Sequence, residues 1–238
     1  MKRGLTAGLL TLLGIFVIAS TAIAQPAAVK PYVICIDPGH QLKGNNQLEP
    51  IGPGATVKKP KVSSGTSGVA TKKPEYVLNL EISLKLRTEL EKRGYKVVMT
   101  RTTHNVDISN KQRSDIANRA KADLFIRIHA DGDSSPKTAG FSVLYPSQSN
   151  KYTKTIYAKS KKASELIYQG MKNATGAKSR GVVPRADLTG FNWSNVPVTL
   201  IEAGFMTNPA EDRKLSQASY QALLVKGISD GVDRYFGK

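Results

Sequence analysis

The chain has 238 residues, with 35 Lys and Arg against 18 Asp and Glu, a formal charge of +17, and a single cysteine. That length suits one globular domain whose core is large enough to stand alone, and one cysteine excludes an intrachain disulfide. The basic balance points to an anionic partner; no nucleic-acid motif is present, which leaves wall polymers or anionic lipid head groups as the better candidates.

Lys2 and Arg3 begin the chain, and Gly4 to Ala24 carry no charge. The stretch closes on Thr21-Ala22-Ile23-Ala24-Gln25, with small residues where a signal peptidase reads. Residues 1–24 are therefore expected to be a secretory signal peptide cleaved after Ala24. The alternative is an uncleaved anchor, since residues 4–24 could just span a bilayer. Cleavage would remove Lys2 and Arg3 and no acid, lowering the formal charge from +17 to +15. Residues 25–238 are then a single secreted or periplasmic, wall-associated domain with no stable membrane insertion.

Tyr32 to Ile36 is a short apolar run closed by Asp37-Pro38-Gly39, a strand and then a turn. Residues 41–74 are rich in Gly, Pro, Ser and Lys without an apolar period and read as a long loop. Six lysines against Glu49 give it a charge of +5. Structureless segments this long in a compact domain are usually functional or mobile. Glu75 to Arg93 has Val77, Leu80, Leu84 and Leu90 at helical spacing, Pro74 at its entrance and Gly94 past its end. The pattern then predicts a strand over Tyr95 to Thr100, a helix over Asp107 to Lys121, and strands over Asp123 to Ile128 and Phe141 to Tyr145. A Lys-rich amphipathic helix follows over Lys151 to Lys172, and a strand over Val196 to Ile201. A last helix opens at Asn208-Pro209-Ala210-Glu211, with Asn capping and Pro in the first turn, and runs to about Tyr235. Alternating strands and helices predict a single α/β domain with a mostly parallel or mixed central sheet flanked by helices. Ligands of such sheets sit beyond the carboxyl ends of the strands.

Two strands end in the same way: Ile36-Asp37-Pro38-Gly39-His40 and Ile128-His129-Ala130-Asp131 each put a histidine at that edge. Two imidazoles there can bind a metal. A catalytic zinc takes three protein ligands and keeps one position open, and with no second cysteine the third is expected to be a carboxylate. Glu75, opening the first helix, is one candidate; stabilisation of the helix dipole is its other reading. Glu202 lies between Val198-Thr199-Leu200-Ile201 and Ala203-Gly204-Phe205. A carboxylate in so apolar a run is costly to desolvate unless paired. It is either a general base beside a cation or half of a buried salt bridge to Arg127 or Arg185. His104, in a loop, reads as a surface residue, and Trp193, the only tryptophan, as a substrate-subsite wall or a half-buried anchor.

These motifs meet a known pattern. The chain resembles the zinc-dependent N-acetylmuramoyl-L-alanine amidases of the Amidase_3 family in Ile36 to His40, the helix start from Glu75, Val97 to Arg101, Arg113 to Asn118, Ile128 to Asp131, and Val198 to Pro209. The ordered set spans nearly all of residues 32–235. The resemblance implies zinc held by His40, Glu75 and His129, with Glu202 as catalytic general base and acid. It implies cleavage of the amide between N-acetylmuramic acid and the first L-alanine of the peptidoglycan stem. Arg185 and Asn208 are the candidate substrate-binding residues. The partners expected are peptidoglycan and, through the basic surface, anionic wall polymers, with no nucleic acid. The chain departs from the family in Gln41 and the long 41–74 segment, which is expected to form one wall of the substrate groove. It departs again at Arg127, where many members have Ser. Two alternatives remain at this level: a zinc carboxypeptidase on wall peptides, using Arg185 for a free carboxylate terminus, and a non-catalytic wall-binding protein using its basic surface.

Overall fold

A computed structural model describes Met1 and residues 31–238. The expected signal peptide and its cleavage point therefore lie, Met1 apart, outside the described residues. No described helix is long and apolar enough to cross a membrane.

In chain order the elements are β1 (Val33–Pro38), β2 (Asn45–Pro50), β3 (Lys58–Val62), α1 (Glu75–Lys92), β4 (Lys96–Met99), α2 (Asn110–Arg119), β5 (Leu124–Asp131), β6 (Phe141–Pro146), α3 (Tyr157–Thr175), β7 (Ser179–Arg185), α4 (Thr189–Asn192), β8 (Val198–Phe205), α5 (Pro209–Leu215) and α6 (Ala218–Phe236). Six strands form one sheet in the order β4-β1-β5-β8-β6-β7. The first four are parallel; β6 runs antiparallel to β8 and parallel to β7. The sheet is mixed, as expected.

Period-2 alternation divides the core. Ile34, Ile36, Ile126, Ile128 and Ile201 join Leu78, Leu86, Ile167 and Ile228 on one face. Val33, Cys35, Phe125, Val198 and Leu200 meet Ala117 and Phe191 on the other. Helices cover both faces, which is why these strands read as continuous apolar runs rather than alternating ones. Continuing the alternation past the apolar residues puts Asp37, Arg127, His129 and Glu202 on the second face. The lone Cys35 is fully buried there.

The 41–74 segment differs from its expected form. It folds into a two-stranded antiparallel hairpin, Glu49 opposite Lys59 and Pro50 opposite Lys58. Apolar periodicity could not announce it, because neither Asn-Asn-Gln-Leu-Glu-Pro nor Lys-Lys-Pro-Lys-Val alternates. Its prolines are tolerated because a two-stranded ribbon has two open edges. Outside contacts fix it. Trp193 Nε1 donates to the Pro50 carbonyl at 2.9 Å, so Trp193 is an anchor, and Asn110 Nδ2 donates to the Lys61 carbonyl. Further on, Asp212 accepts from the Ala70 and Thr71 amides and the Thr71 hydroxyl.

Two helix boundaries move as well. The lysine-rich helix begins at Tyr157 rather than Lys151. The last helix divides at Ser216 and Gln217, where Gln217 is extended (φ −81°, ψ 128°). No Gly or Pro marks that break. The strand β7 and the single turn α4 carry too few apolar residues to stand out in the sequence.

A three-donor centre at the sheet edge

His40 follows β1 in a left-handed conformation (φ 59°), Glu75 is the first residue of α1, and His129 lies near the end of β5. The structure brings the three together, with donor atoms all within 4.8 Å of one another. His40 Nε2 and His129 Nδ1 are 3.1 Å apart, and each stands 3.2 Å from Glu75 Oε1. A tetrahedral zinc with bonds of about 2.0–2.1 Å would hold its ligands about 3.3 Å apart. The triangle therefore already has the dimensions such an ion needs.

Two of the three donors, His40 and Glu75, are oriented from behind. His40 Nδ1 is 2.8 Å from the Ser63 carbonyl oxygen, which accepts its proton and leaves Nε2 with a lone pair for the centre. Glu75 Oε2 accepts from the Thr66 amide at 2.9 Å, and Oε1 from Asn79 Nδ2 and the Ala130 amide. Space at the centre is tight. A Cβ on Gly39 would collide with the His129 ring, and one on Gly65 (φ 79°) would come within 2.6 Å of Glu75 Oε2. Burial raises the Glu75 carboxyl, but hydrogen bonds from His129 and His40 outweigh it and hold the group well below the usual range. Burial pulls His129 down to about 4, against the opposing pull of Glu75. This environment favours the neutral, metal-ligating imidazole of His129 and an ionised Glu75.

Glu202 sits one strand over. In the register of β5 and β8 it is the partner of His129, and a bulge follows at once, between His129 and Asp131, as is common beside active sites. Its Oε2 is shut off from solvent and has no hydrogen-bond partner. Burial, then the Glu75 and Asp131 carboxylates, push its carboxyl well above the ordinary value, with Arg185 and Arg127 opposing. Neither arginine forms a salt bridge to it. Arg127 Nε goes to Asp37 at 2.8 Å and Nη2 to Asn110. Arg185 directs Nε and Nη2 to Asp187 at 2.8 and 2.9 Å. The buried salt bridge held open for Glu202 is therefore absent.

Other expected site residues fall around this centre. Arg185 lines the cavity that contains His40, His129 and Glu202, with its guanidinium occupied by Asp187. Asn208 uses its side-chain oxygen to cap α5, accepting from the Ala210 and Glu211 amides. His104 is half-buried, stacked edge-on against Tyr76, and takes no part in the cluster.

Sequence reasoning passed over the residues that hold the His40 turn. Asp37 is fully buried between Arg113 and Arg127. Arg113 reaches the Pro38 and His40 carbonyls at 2.9 and 3.0 Å, and Arg101 reaches those of Pro38, Gly39 and Tyr76. Two guanidiniums thus donate to the Pro38, Gly39 and His40 carbonyls of the turn that carries one donor and to the Tyr76 carbonyl in the first turn of the helix that carries another. Asp37 could have been found: an acid closing an apolar strand needs a buried cation, by the same logic that singled out Glu202.

Two imidazoles and a carboxylate that could hold a metal ion stand beside an unpartnered glutamate at the carboxyl edge of an α/β sheet. Comparison with known proteins narrows this. The profile of the Amidase_3 family, N-acetylmuramoyl-L-alanine amidase, matches residues 34–234, and the chain belongs to that family. It is 29% identical over 223 residues to an N-acetylmuramoyl-L-alanine amidase of Mycobacterium tuberculosis, covering 89% of this chain and 91% of that one. It is 30% identical over 205 residues to the amidase LytC of Bacillus subtilis, covering 85% of this chain and 35% of LytC. Among solved structures, an N-acetylmuramoyl-L-alanine amidase from Clostridium difficile superposes with a TM-score of 0.71 at 28% identity, over 87% of this chain and 98% of that one. Ami1 from Mycobacterium smegmatis shares the fold with a TM-score of 0.78 at 24% identity, covering 87% and 97%. The chain is thus an enzyme, an amidase with peptidoglycan as substrate, and the non-catalytic alternative is set aside.

Proposed function

We propose that this amidase is zinc-dependent and cuts the bond between N-acetylmuramic acid and the L-alanine of the stem peptide. His40, Glu75 and His129 hold the ion and Glu202 moves the proton. The observation that carries the reading is the near-equilateral donor triangle, 3.1 to 3.2 Å on each side, beside a carboxylate with no other partner. His129 Nε2 is also buried without a partner, so the ring's contacts all run through Nδ1, the atom turned to the centre. Bound zinc supplies a Lewis acid and brings the pKa of a coordinated water towards about 7.

This chain's residues do the rest. Glu202 accepts the proton of the attacking water and delivers it to the leaving L-alanine nitrogen. A base of raised affinity for protons suits both roles, since it must first take the proton and then hold it for the amine. Its register with His129 would keep it beside a bound ion, while the donor set itself is His40, Glu75 and His129. The Arg101 and Arg113 contacts keep the His40 turn from relaxing while the site is empty of substrate.

The hairpin closes one side of the groove. Lys59 and Pro60 line the same cavity as His40, His129 and Glu202, and Lys59 is tied to Asp187 across it. We assign this segment to substrate contact. Export through the residue 1–24 signal peptide, and attraction of the basic surface to anionic wall polymers, complete the reading. A zymogram with embedded wall material tests it. Clearing should vanish with chelator, return with zinc, and be absent for Glu202→Gln; clearing that persists at full strength in chelator refutes zinc dependence.

A further inference from the structure

Two cavities meet at Glu202. One, about 410 Å³, holds His40 and His129. The other, about 480 Å³, is lined by Asp131, Ser142, Lys178, Arg180, Arg185 and Glu202 among others. Glu202 and Arg185 are the residues common to both. Cleavage beside Glu202 leaves a saccharide half and a peptide half, and each cavity has room for one.

Charge distinguishes them. In the cavity with the histidines the cations are already matched, Lys59 and Arg185 by Asp187 and Arg127 by Asp37. Across Glu202, Lys178 and Arg180 make no ion pair among the described residues. Both belong to one edge, Arg180 on β7 and Lys178 just before it. Their placement is built. The Arg180 guanidinium lies over the Phe205 ring, 5.2 Å from its centre, which restrains it on the cavity wall. Gly140 (φ 107°) brings its strand so close that a Cβ would stand 2.9 Å from the Lys178 carbonyl and 3.3 Å from Arg180 Cγ. Glu211 fixes that approach, accepting from the Gly140 amide at 2.9 Å and the Phe205 amide at 2.8 Å.

In the uncleaved substrate the lactyl group is an amide and the N-acetylated sugars bring no charge to such a wall, whereas the peptide brings carboxylates. We propose that Lys178 and Arg180 form a carboxylate-reading subsite for the peptide half of the substrate, and that they set specificity between stems with free carboxylates and stems in which these are amidated. The proposal rests on the amidase chemistry above. Arg185, held by Asp187 on two nitrogens, contributes shape more than free charge. Lys178 and Arg180 touch no reacting atom.

The test is binding, measured by calorimetry on the full protein as purified with its metal. The probes are a tripeptide with L-alanine at its amino end and free carboxylates, and the same peptide with those carboxylates capped as carboxamides. Wild type should prefer the carboxylate form by about tenfold, the scale of one charge-assisted hydrogen bond. Lys178→Gln with Arg180→Gln should abolish the preference while leaving zinc content and melting temperature unchanged. Equal binding of the two peptides by wild type overturns the proposal, whatever the variants do, and so does a preference that survives the double substitution. Glycerol phosphate competing as well as the carboxylate peptide would assign the cavity to wall phosphates instead and overturn the peptide assignment. Failure of the amidase reading would show separately, as stems left on the glycan after digestion by wild type.

Discussion

His129 and Glu202 are register partners on adjacent parallel strands, β5 and β8, so the proposed metal donor and the proposed proton acceptor stand one strand spacing apart, about 4.8 Å between backbones. Strand pairing, not a flexible loop, sets their separation. Glu202→Gln keeps the shape and removes the base. Turnover on purified wall should fall by about 10² to 10⁴, the usual scale for general acid–base catalysis, with zinc content unchanged. Loss of zinc in this variant would make Glu202 a ligand instead.

The same residue should cost the metal-free protein stability. Its folded carboxyl titrates well above the ordinary value through burial and the Glu75 and Asp131 carboxylates. Between the unfolded value, about 4.3, and the folded one, the native state binds more protons than the unfolded state. Stability therefore falls as pH rises through that window. Chelated Glu202→Gln should be more stable than chelated wild type at pH 7, with the gap closing as pH falls towards 4 and shrinking when zinc is restored. Urea denaturation at several pH values checks this; wild type more stable than the variant in chelator at pH 7 would contradict it.

His40→Ala and His129→Ala should lose both zinc and activity, and Glu75→Ala should bind zinc more weakly. The 41–74 segment divides in its effect. Ser63 and Thr66 hold His40 and Glu75 from behind, so replacing Ile51 to Ser67 with a Gly-Ser linker should weaken zinc by about 10- to 100-fold. Replacing Ile51 to Val57 alone, the hairpin turn, should leave zinc in place and lower digestion of intact wall. Metal analysis beside wall turbidity separates the two effects, and unchanged digestion after the shorter replacement would remove the hairpin turn from substrate contact, leaving Lys59 and Pro60 as the hairpin's residues in the cavity.

Asp37 and Arg113 form a wholly buried pair at 2.8 Å. Burial alone would raise Asp37, but the Arg113 and Arg127 guanidiniums more than offset it and hold its carboxyl far below the usual range. Asp37→Asn leaves two buried guanidiniums uncompensated and should cost about 3–5 kcal/mol. Because the folded value is depressed, the contribution is full above the unfolded value of about 3.9 and is lost as pH falls through the folded one. The difference between wild type and Asp37→Asn in chemical denaturation should therefore narrow below about pH 4. A difference that stays constant down to pH 2 would count against the ion pair as its source.

Much of this is legible in the amino-acid sequence. The apolar runs of β1, β5 and β8, and the two histidines ending the first pair, gave the sheet and its functional edge, because buried strands and strand-end polar residues leave a strong local signal. Glu202 stood out as a charge in an apolar run. Tertiary contacts hid the rest. The hairpin is held by Trp193 and Asn110, far away in sequence, and α5 and α6 are separated by two residues, Ser216 and the extended Gln217, with no Gly or Pro to announce the break. Arg101 and Arg113 act through backbone carbonyls of the His40 turn, a role that depends on the strand order β4-β1-β5 and not on any motif. Asn208 illustrates a residue with two sequence readings, a cap and a substrate contact; its side chain makes the cap.

Mass spectrometry of the products that residues 25–238 release from purified peptidoglycan tests the central claim most directly. The account predicts stem peptides with a free L-alanine amino end and glycan bearing the intact lactyl carboxylate, lost on chelation and recovered with zinc. Release of single carboxy-terminal amino acids with the stems still on the glycan, or the same stem peptides at undiminished rate in chelator, would contradict it.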